Sequence, residues 1–363
     1  MLLSSSQVVT YLLEHRFLSP AQVVEGGVLV EDVSRRNRNF RVVPAEGTAF
    51  LVKQAAYAET AGSVAREAQV YRMLAGLPRG RTLGRSLPRC FGYDDGAGVL
   101  VLELLPGVQD LRQYHVLRRH FPVRVARAVG KALGTLHRTT RGLAGPAEDS
   151  RPGWALSLHL PGPRFLQTAS AANAQLVRII QQYGEFTALL DEARAGWRPE
   201  ALIHHDIKWD NLLVRAPGGG ALKMIDWELA RYGDPCWDVG SAFNDYLTFW
   251  LHSVPITGEI PPERFLELTW CPLERMHPAL RALWDAYLRE TGADAAQAAE
   301  WLPRAVRYTG VRLVQTAYEQ MQSSLALTGN VVCMLQLAWN LLRRPAEAAG
   351  TLLGLGLRER LAA

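Results

Sequence analysis

The stretch from Ala201 to Phe243, ALIHHDIKWDNLLVRAPGGGALKMIDWELARYGDPCWDVGSAF, constrains the chain more than any other. Apolar Leu202 and Ile203 run into His204, His205 and Asp206; Lys208 follows, and Asn211 stands five residues after Asp206. Leu212 to Val214 reads as a short strand, Ala216-Pro217-Gly218-Gly219-Gly220 has turn composition, and Leu222 to Ile225 reads as the return strand, with Asp226 where it ends. A hairpin brings its two ends together, so Asp206 and Asn211 are expected near Asp226. Carboxylates and an amide gathered in this way suit Mg²⁺, which takes oxygen ligands, keeps several waters and shares its shell with substrate phosphates. Each part also has a plain reading. A buried Asp capping a loop is commoner than a catalytic one, and a lone lysine such as Lys208 is usually a solvated charge. Two coupled motifs at hairpin spacing, followed by Gly233-Asp234-Pro235, Trp237 and Asp238, favour the chemical reading.

The pattern of His204, Asp206 and Asn211, followed by Asp226, resembles the catalytic loop and metal-binding aspartate of the protein-kinase superfamily. Ile225-Asp226-Trp227-Glu228 and the Gly233 to Asp238 motif are similar to its aminoglycoside phosphotransferase and choline kinase branch, which has tryptophan where protein kinases have the phenylalanine of D-F-G. The resemblance implies an α+β, two-lobed kinase-like fold: a small β-rich N-terminal lobe, residues 1–103, and a large helical C-terminal lobe, residues 104–363, with ATP between them. It implies that Asp206 orients and deprotonates the attacking hydroxyl and that Asn211 and Asp226 hold Mg²⁺ on the ATP phosphates. It further implies that Asp238 braces the catalytic loop, with His204 packed beneath it.

Upstream, Ser5 to His15 has apolar residues at helical spacing and is expected to pack outside the small lobe. Val28 to Val43 reads as two strands with Ser34-Arg35-Arg36-Asn37 between them. The resemblance makes this the phosphate-covering loop, although G-x-G-x-x-G is absent. The amides of Ser34 to Asn37 are placed to cradle phosphate as a nest, with Arg35 or Arg36 adding charge; a solvated basic hairpin is the equal alternative. Ala49 to Lys53 is an apolar strand ending in a lysine, which needs an acidic partner if it faces inward. Glu67 lies in a helical run, Thr60 to Leu74, with Val64, Ala68, Tyr71 and Leu74 on one face. Lys53 and Glu67 resemble the kinase pair that positions the α- and β-phosphates. Two further strands, Pro88 to Tyr93 and Val99 to Leu104, end at Pro106-Gly107. The resemblance makes Glu103 to Leu105 the hinge whose backbone binds adenine; the same residues are equally a plain strand exit.

Beyond Gly107 the pattern turns helical: Val123 to His137, Ser170 to Ala193, Arg264 to Trp270, Ala279 to Glu290, Ala295 to Gln322, Val331 to Leu342 and a short tail from Leu352 to Arg360. The residues between Arg151 and Arg198 form the insert in which such a family builds specificity. Four scattered cysteines without a C-x-x-C pair suggest neither zinc nor a disulfide framework, and so reduced thiols in a cytoplasm. The N-terminus lacks a basic n-region and a long apolar core, so no signal peptide is expected. A net charge of +5, with arginines spread along 363 residues, fits ATP or an acidic partner but no nucleic-acid patch, and no run is long enough to span a membrane.

The acceptor is less legible. From Trp301 to the end there are seven arginines against three glutamates, which disfavours a polycation there, while Asp245 to Glu300 is more acidic. Lys208 stands where protein Ser/Thr kinases neutralise the γ-phosphate, and His205 stands where this branch commonly has glycine. With SRRNRNF, LVKQ, WALSLHLP and LIHHDIKWDN, the chain resembles a bacterial subgroup that includes the kinase component of class V lanthipeptide-type biosynthesis. The resemblance implies a Ser/Thr hydroxyl of a ribosomal peptide as acceptor and a separate lyase partner. The alternatives are a small-molecule hydroxyl (an aminoglycoside, choline or another amino alcohol) and a pseudokinase that binds a peptide or partner.

Overall fold

The computed structural model describes residues 2–77, 83–143, 150–163, 165–215, 222–255 and 268–356. They form an α+β fold of two compact units, residues 1–114 with 210–230, and residues 115–209 with 231–363. The expected glycine turn at 216–220 and the start of the helix expected from Arg264 lie outside the described residues.

The first unit is built on a five-stranded antiparallel sheet, β1 (Val28–Asp32), β2 (Arg38–Pro44), β3 (Phe50–Gln54), β4 (Cys90–Asp94) and β5 (Val99–Glu103), in the order β1-β2-β3-β5-β4. Strand alternation decides which residues serve the core. Phe40 and Val42 of β2, Phe50 and Val52 of β3, and Val99 and Val101 of β5 are buried against Val8, Tyr11 and Leu12 of helix α1 (Ser5–Glu14). The expected α1 is present, and a capping box between Ser4 and Gln7 starts it. A second helix, α2 (Pro20–Val24), starts in the same way from Ser19. The long α3 (Ala58–Gly76) buries Val64, Ala68, Tyr71 and Leu74, the face expected from their spacing. A second, three-stranded sheet of order β6-β8-β9 joins β6 (Val108–Asp110) to the hairpin of β8 (Leu212–Arg215) and β9 (Leu222–Met224). The Met224 amide donates to the Ser86 carbonyl at 2.8 Å, tying this late hairpin to the early part of the unit. Helix α4 (Leu111–Arg118) begins in the first unit and ends in the second.

The second unit is helical. Its members are α5 (Val123–Thr140), α6 (Ala171–Gln182), α7 (Gly184–Ala195), α8 (Pro235–His252), α9 (His277–Thr291), α10 (Ala295–Gln320), α11 (Gly329–Arg343) and α12 (Pro345–Thr351), with a helical turn at Phe165–Thr168. One short pair of strands, β7 (Ala201–Ile203) and β10 (Arg231–Gly233), completes it. Two expectations are corrected. The single helix expected over Ser170 to Ala193 is two, because Tyr183 turns to φ −105°, ψ 96° before Gly184 starts α7. The expected tail helix is absent from Leu352 to Gly356, where the chain turns, and α12 is the last described helix. Among the described residues no helix is long and apolar enough to cross a membrane.

Candidate active site

In the first unit the pattern of β3 sends Val52 into the core and Lys53 to the opposite side, where α3 lies. The Lys53 Nζ donates to Glu67 Oε2 at 2.8 Å and Oε1 at 3.1 Å, and to Asp226 Oδ1 at 3.1 Å. Burial alone would push the Lys53 ammonium down, but Glu67 and Asp226 together hold it above its usual range. Burial raises the Glu67 carboxyl, against the opposing pull of Lys53. Glu67 is 1 % exposed and also accepts the Trp227 amide at 3.4 Å, so one carboxylate fixes both the lysine and the residue after Asp226.

Asp226 holds left-handed backbone, φ 67°, ψ 63°, between β9 and a 3-10 turn at Trp227–Leu229. Trp227 itself is fully buried and donates its indole N–H to the Met224 carbonyl at 3.2 Å. Asn211 is 5 % exposed, and its carbonyl accepts the amide of Ile225, the residue before Asp226, at 3.0 Å. The donor set of these two side chains, an amide oxygen and a carboxylate, is of the kind that fits a Mg²⁺ drawing its other ligands from phosphate and water.

The Ser34 to Asn37 loop is a tight turn whose own closure uses part of the expected nest. The Ser34 amide donates to Asp32 Oδ1 at 2.9 Å and the Arg35 amide to the Asn37 carbonyl at 3.2 Å. Arg35 and Arg36 are exposed, and Asn37 Nδ2 reaches Ser63 Oγ on α3 at 3.5 Å. Glu103 ends β5 and caps the Arg89 amide at 3.0 Å; Leu105 is half-buried just beyond.

In the second unit β7 delivers the chain into His204, His205 and Asp206. The Asp234-Pro235 pair supplies the N-cap and first residue of α8, the Asp234 side chain accepting the Cys236 amide. That places Asp238 in the first turn, fully buried, where Oδ2 accepts the His204 amide at 2.7 Å and Oδ1 the His205 amide at 2.9 Å. His137 of α5 bonds the same Oδ2 at 3.2 Å and Tyr287 Oη at 3.1 Å. Burial would raise the Asp238 carboxyl, yet these donors hold it below its usual range. His205 holds φ 68°, its carbonyl accepts the Trp237 indole N–H at 3.1 Å, and its ring stacks on Trp237 at 5.4 Å. Asp206 follows, 9 % exposed, with Lys208 Nζ on Oδ2 at 2.6 Å.

The structure thus gathers Lys53, Glu67, Asn211 and Asp226 in one unit and Asp206 and Lys208 in the other. It adds a residue that the sequence reading missed. Arg312 of α10, 2 % exposed, brings Nη2 to 3.7 Å from Asp206 Oδ1. The available signal was an arginine at helical spacing with Ala305 and Thr309, on the apolar stripe of α10.

A model of the Phosphotransferase enzyme family matches residues 32–257 of the chain. The structure is similar to a choline kinase from Cryptosporidium parvum Iowa II (12 % identity, 97 % of this chain and 99 % of that one, TM-score 0.58). It is also similar to an ethanolamine kinase from Plasmodium vivax (12 % identity, 97 % and 91 %, TM-score 0.55). A third likeness is to a choline/ethanolamine kinase family protein from Mesorhizobium loti (16 % identity, 94 % and 99 %, TM-score 0.53). No curated protein sequence matches at a significant level. At these identities the likeness to solved structures is one of fold.

Proposed function

Because the chain belongs to the phosphotransferase enzyme family, we propose that it is an ATP-dependent kinase that moves the γ-phosphate to an acceptor hydroxyl. The observation that carries this reading is the Lys53 ammonium, its side chain only 12 % exposed and shared by Glu67 and Asp226. A lysine held in this way is pre-placed for phosphate oxygens, and losing one carboxylate contact to a metal leaves the other in place. Asn211 and Asp226 would hold Mg²⁺, which when bound neutralises charge on the phosphates. Asp206 orients the hydroxyl and accepts its hydrogen bond. Catalysis then rests on positioning and charge, not on a covalent enzyme intermediate.

For the acceptor, the local charge favours a hydroxyl without a cationic neighbour. Lys208 and Arg312 both lie within 4 Å of Asp206, so the three groups together carry one net positive charge and disfavour an ammonium beside the hydroxyl. This favours an uncharged acceptor over choline or an aminoglycoside; the Ser/Thr hydroxyl of a ribosomal, lanthipeptide-type precursor, phosphorylated to make a leaving group for a separate lyase, is the acceptor we propose, and a neutral small-molecule hydroxyl is the alternative. Such a substrate and the reduced thiols Cys90, Cys236, Cys271 and Cys333 fit a cytoplasmic enzyme.

A thermal-shift titration with ATP, with and without Mg²⁺, tests the nucleotide assignment. Asp226→Asn is the informative variant because Asn tolerates left-handed backbone. A Mg²⁺-dependent rise in Tm that is lost in Asp226→Asn is the expected result. An equal rise in the variant removes Asp226 from the metal site, and no rise in either protein favours the pseudokinase.

A further inference from the structure

Arg312 is difficult to explain as a structural residue. It sits in the middle of α10, 2 % exposed, and its guanidinium carbon lies 5.9 Å from the Trp237 ring centroid. Its Nε and Nη1 are shielded from solvent and have no hydrogen-bond partner among the described residues. Removing a guanidinium from water is costly, and unmet buried donors add to the cost. Among the described residues its one ion pair is the 3.7 Å approach of Nη2 to Asp206 Oδ1. A methionine of similar length would fill the same space without that penalty.

The geometry points to Arg312 as a positioning residue that acts through Asp206, an inference that rests on the reading of Asp206 proposed above. Lys208 takes one oxygen of the carboxylate and Arg312 faces the other. Lys208 reaches Asp206 from two residues away and is 36 % exposed, so its grip is local and solvated. Arg312 reaches it from a packed helix, in surroundings where charge is poorly screened. The pair sets the rotation of the carboxylate from two sides. Arg312 supplies the rigid side, because the helix that carries it packs against α8. A displacement of about 1 Å in an orienting group costs on the order of a hundredfold in rate, so a residue of this kind is retained at the expense of stability.

The test uses the full chain and reads Tm, the KM for ATP, and kcat for ATP turnover with water as acceptor. Arg312→Met should still melt cooperatively, keep the KM for ATP within about twofold and lose at least about tenfold in kcat. Arg312→Lys, which keeps the charge but not the planar fork, should recover part of the loss. In an Asp206→Asn background, Arg312→Met should change the residual rate by less than about twofold, since its route of action is already gone. Wild-type kcat in Arg312→Met, or a tenfold loss that persists in the Asp206→Asn background, overturns the inference. If Arg312→Met does not fold, Arg312→Lys decides: reduced kcat at wild-type Tm supports positioning, and unchanged kcat overturns it. Wild-type turnover in Asp206→Asn alone instead removes Asp206 from the mechanism, and the reading beneath the inference with it.

Discussion

His205 and Asp226 both hold left-handed backbone, at φ 68° and 67°, although neither is glycine. The conformation costs an L-residue roughly 1–2 kcal/mol, and Asp tolerates it better than His. What holds His205 there is a set of three contacts: its amide on Asp238, its carbonyl on the Trp237 indole, and its ring on Trp237. Burial keeps that imidazole neutral, pushing it down to about 3, with Arg231 and Arg312 adding to the effect and Asp238 opposing it. The sign of the pH effect follows. The unfolded imidazole titrates near 6.5, so between that value and about 3 the unfolded chain binds more protons. Stability that is full above pH 6.5 is therefore lost as the pH falls towards 3. Urea unfolding should show a decline of up to about 3 kcal/mol from this group between pH 6.5 and 4. The decline should be shallower in His205→Asn, which accepts the backbone and does not titrate. It will not vanish, because buried His115 is also pushed down, to about 4.

At the scale of elements, helix contacts decide the sign of glycine substitutions. A Cβ on Gly130 of α5 would lie 2.0 Å from the Leu283 carbonyl oxygen of α9, and one on Gly134 would lie 2.7 Å from Glu290 Cβ. Backbone cannot yield there, so Gly130→Ala should destabilise by about 2 kcal/mol despite alanine's better helix propensity. Gly62 of α3 has nothing within 4 Å, and Gly62→Ala should stabilise by up to about 1 kcal/mol. Urea midpoints of the two variants should therefore move in opposite directions. These elements also show what the sequence makes legible. The alternation of β2 and β3, the buried face of α3, and the hairpin that joins Asn211 to Asp226 are local patterns, and periodicity reveals them. The break at Tyr183 has a local marker in Gly184, but helical spacing continues across it, and only packing of two helices in place of one decides the matter. Arg312 and Asp206 are 106 residues apart (312 − 206), and their approach depends on how α10 packs, which no local pattern encodes.

At the scale of the whole molecule, the first unit is assembled from two separated pieces of sequence, 1–114 and 210–230. The second piece is not an ornament. Leu212, Val214, Met224 and Trp227 are each no more than 1 % exposed, and Lys223 Nζ reaches back to the Leu87 carbonyl at 2.6 Å. Burying a large apolar side chain is worth roughly 1.5–3 kcal/mol, so a fragment ending at residue 114 forfeits a sum comparable to the stability of a small domain. That fragment should bind a hydrophobic dye and show no cooperative melt; a sharp transition would show that residues 210–230 are dispensable.

The same discontinuity has a consequence for the nascent chain. Between residue 114 and residue 230 the ribosome must add 116 further residues (230 − 114), which takes roughly 6–23 s at about 5–20 residues per second. Throughout that interval the five-stranded sheet is available but the residues that close the unit have not been made. Its apolar surface then stands open to chaperones and to other nascent chains. Completion of the N-terminal unit is thus delayed until residue 230 has been made, and slowing synthesis between these two positions should lower the yield of folded enzyme.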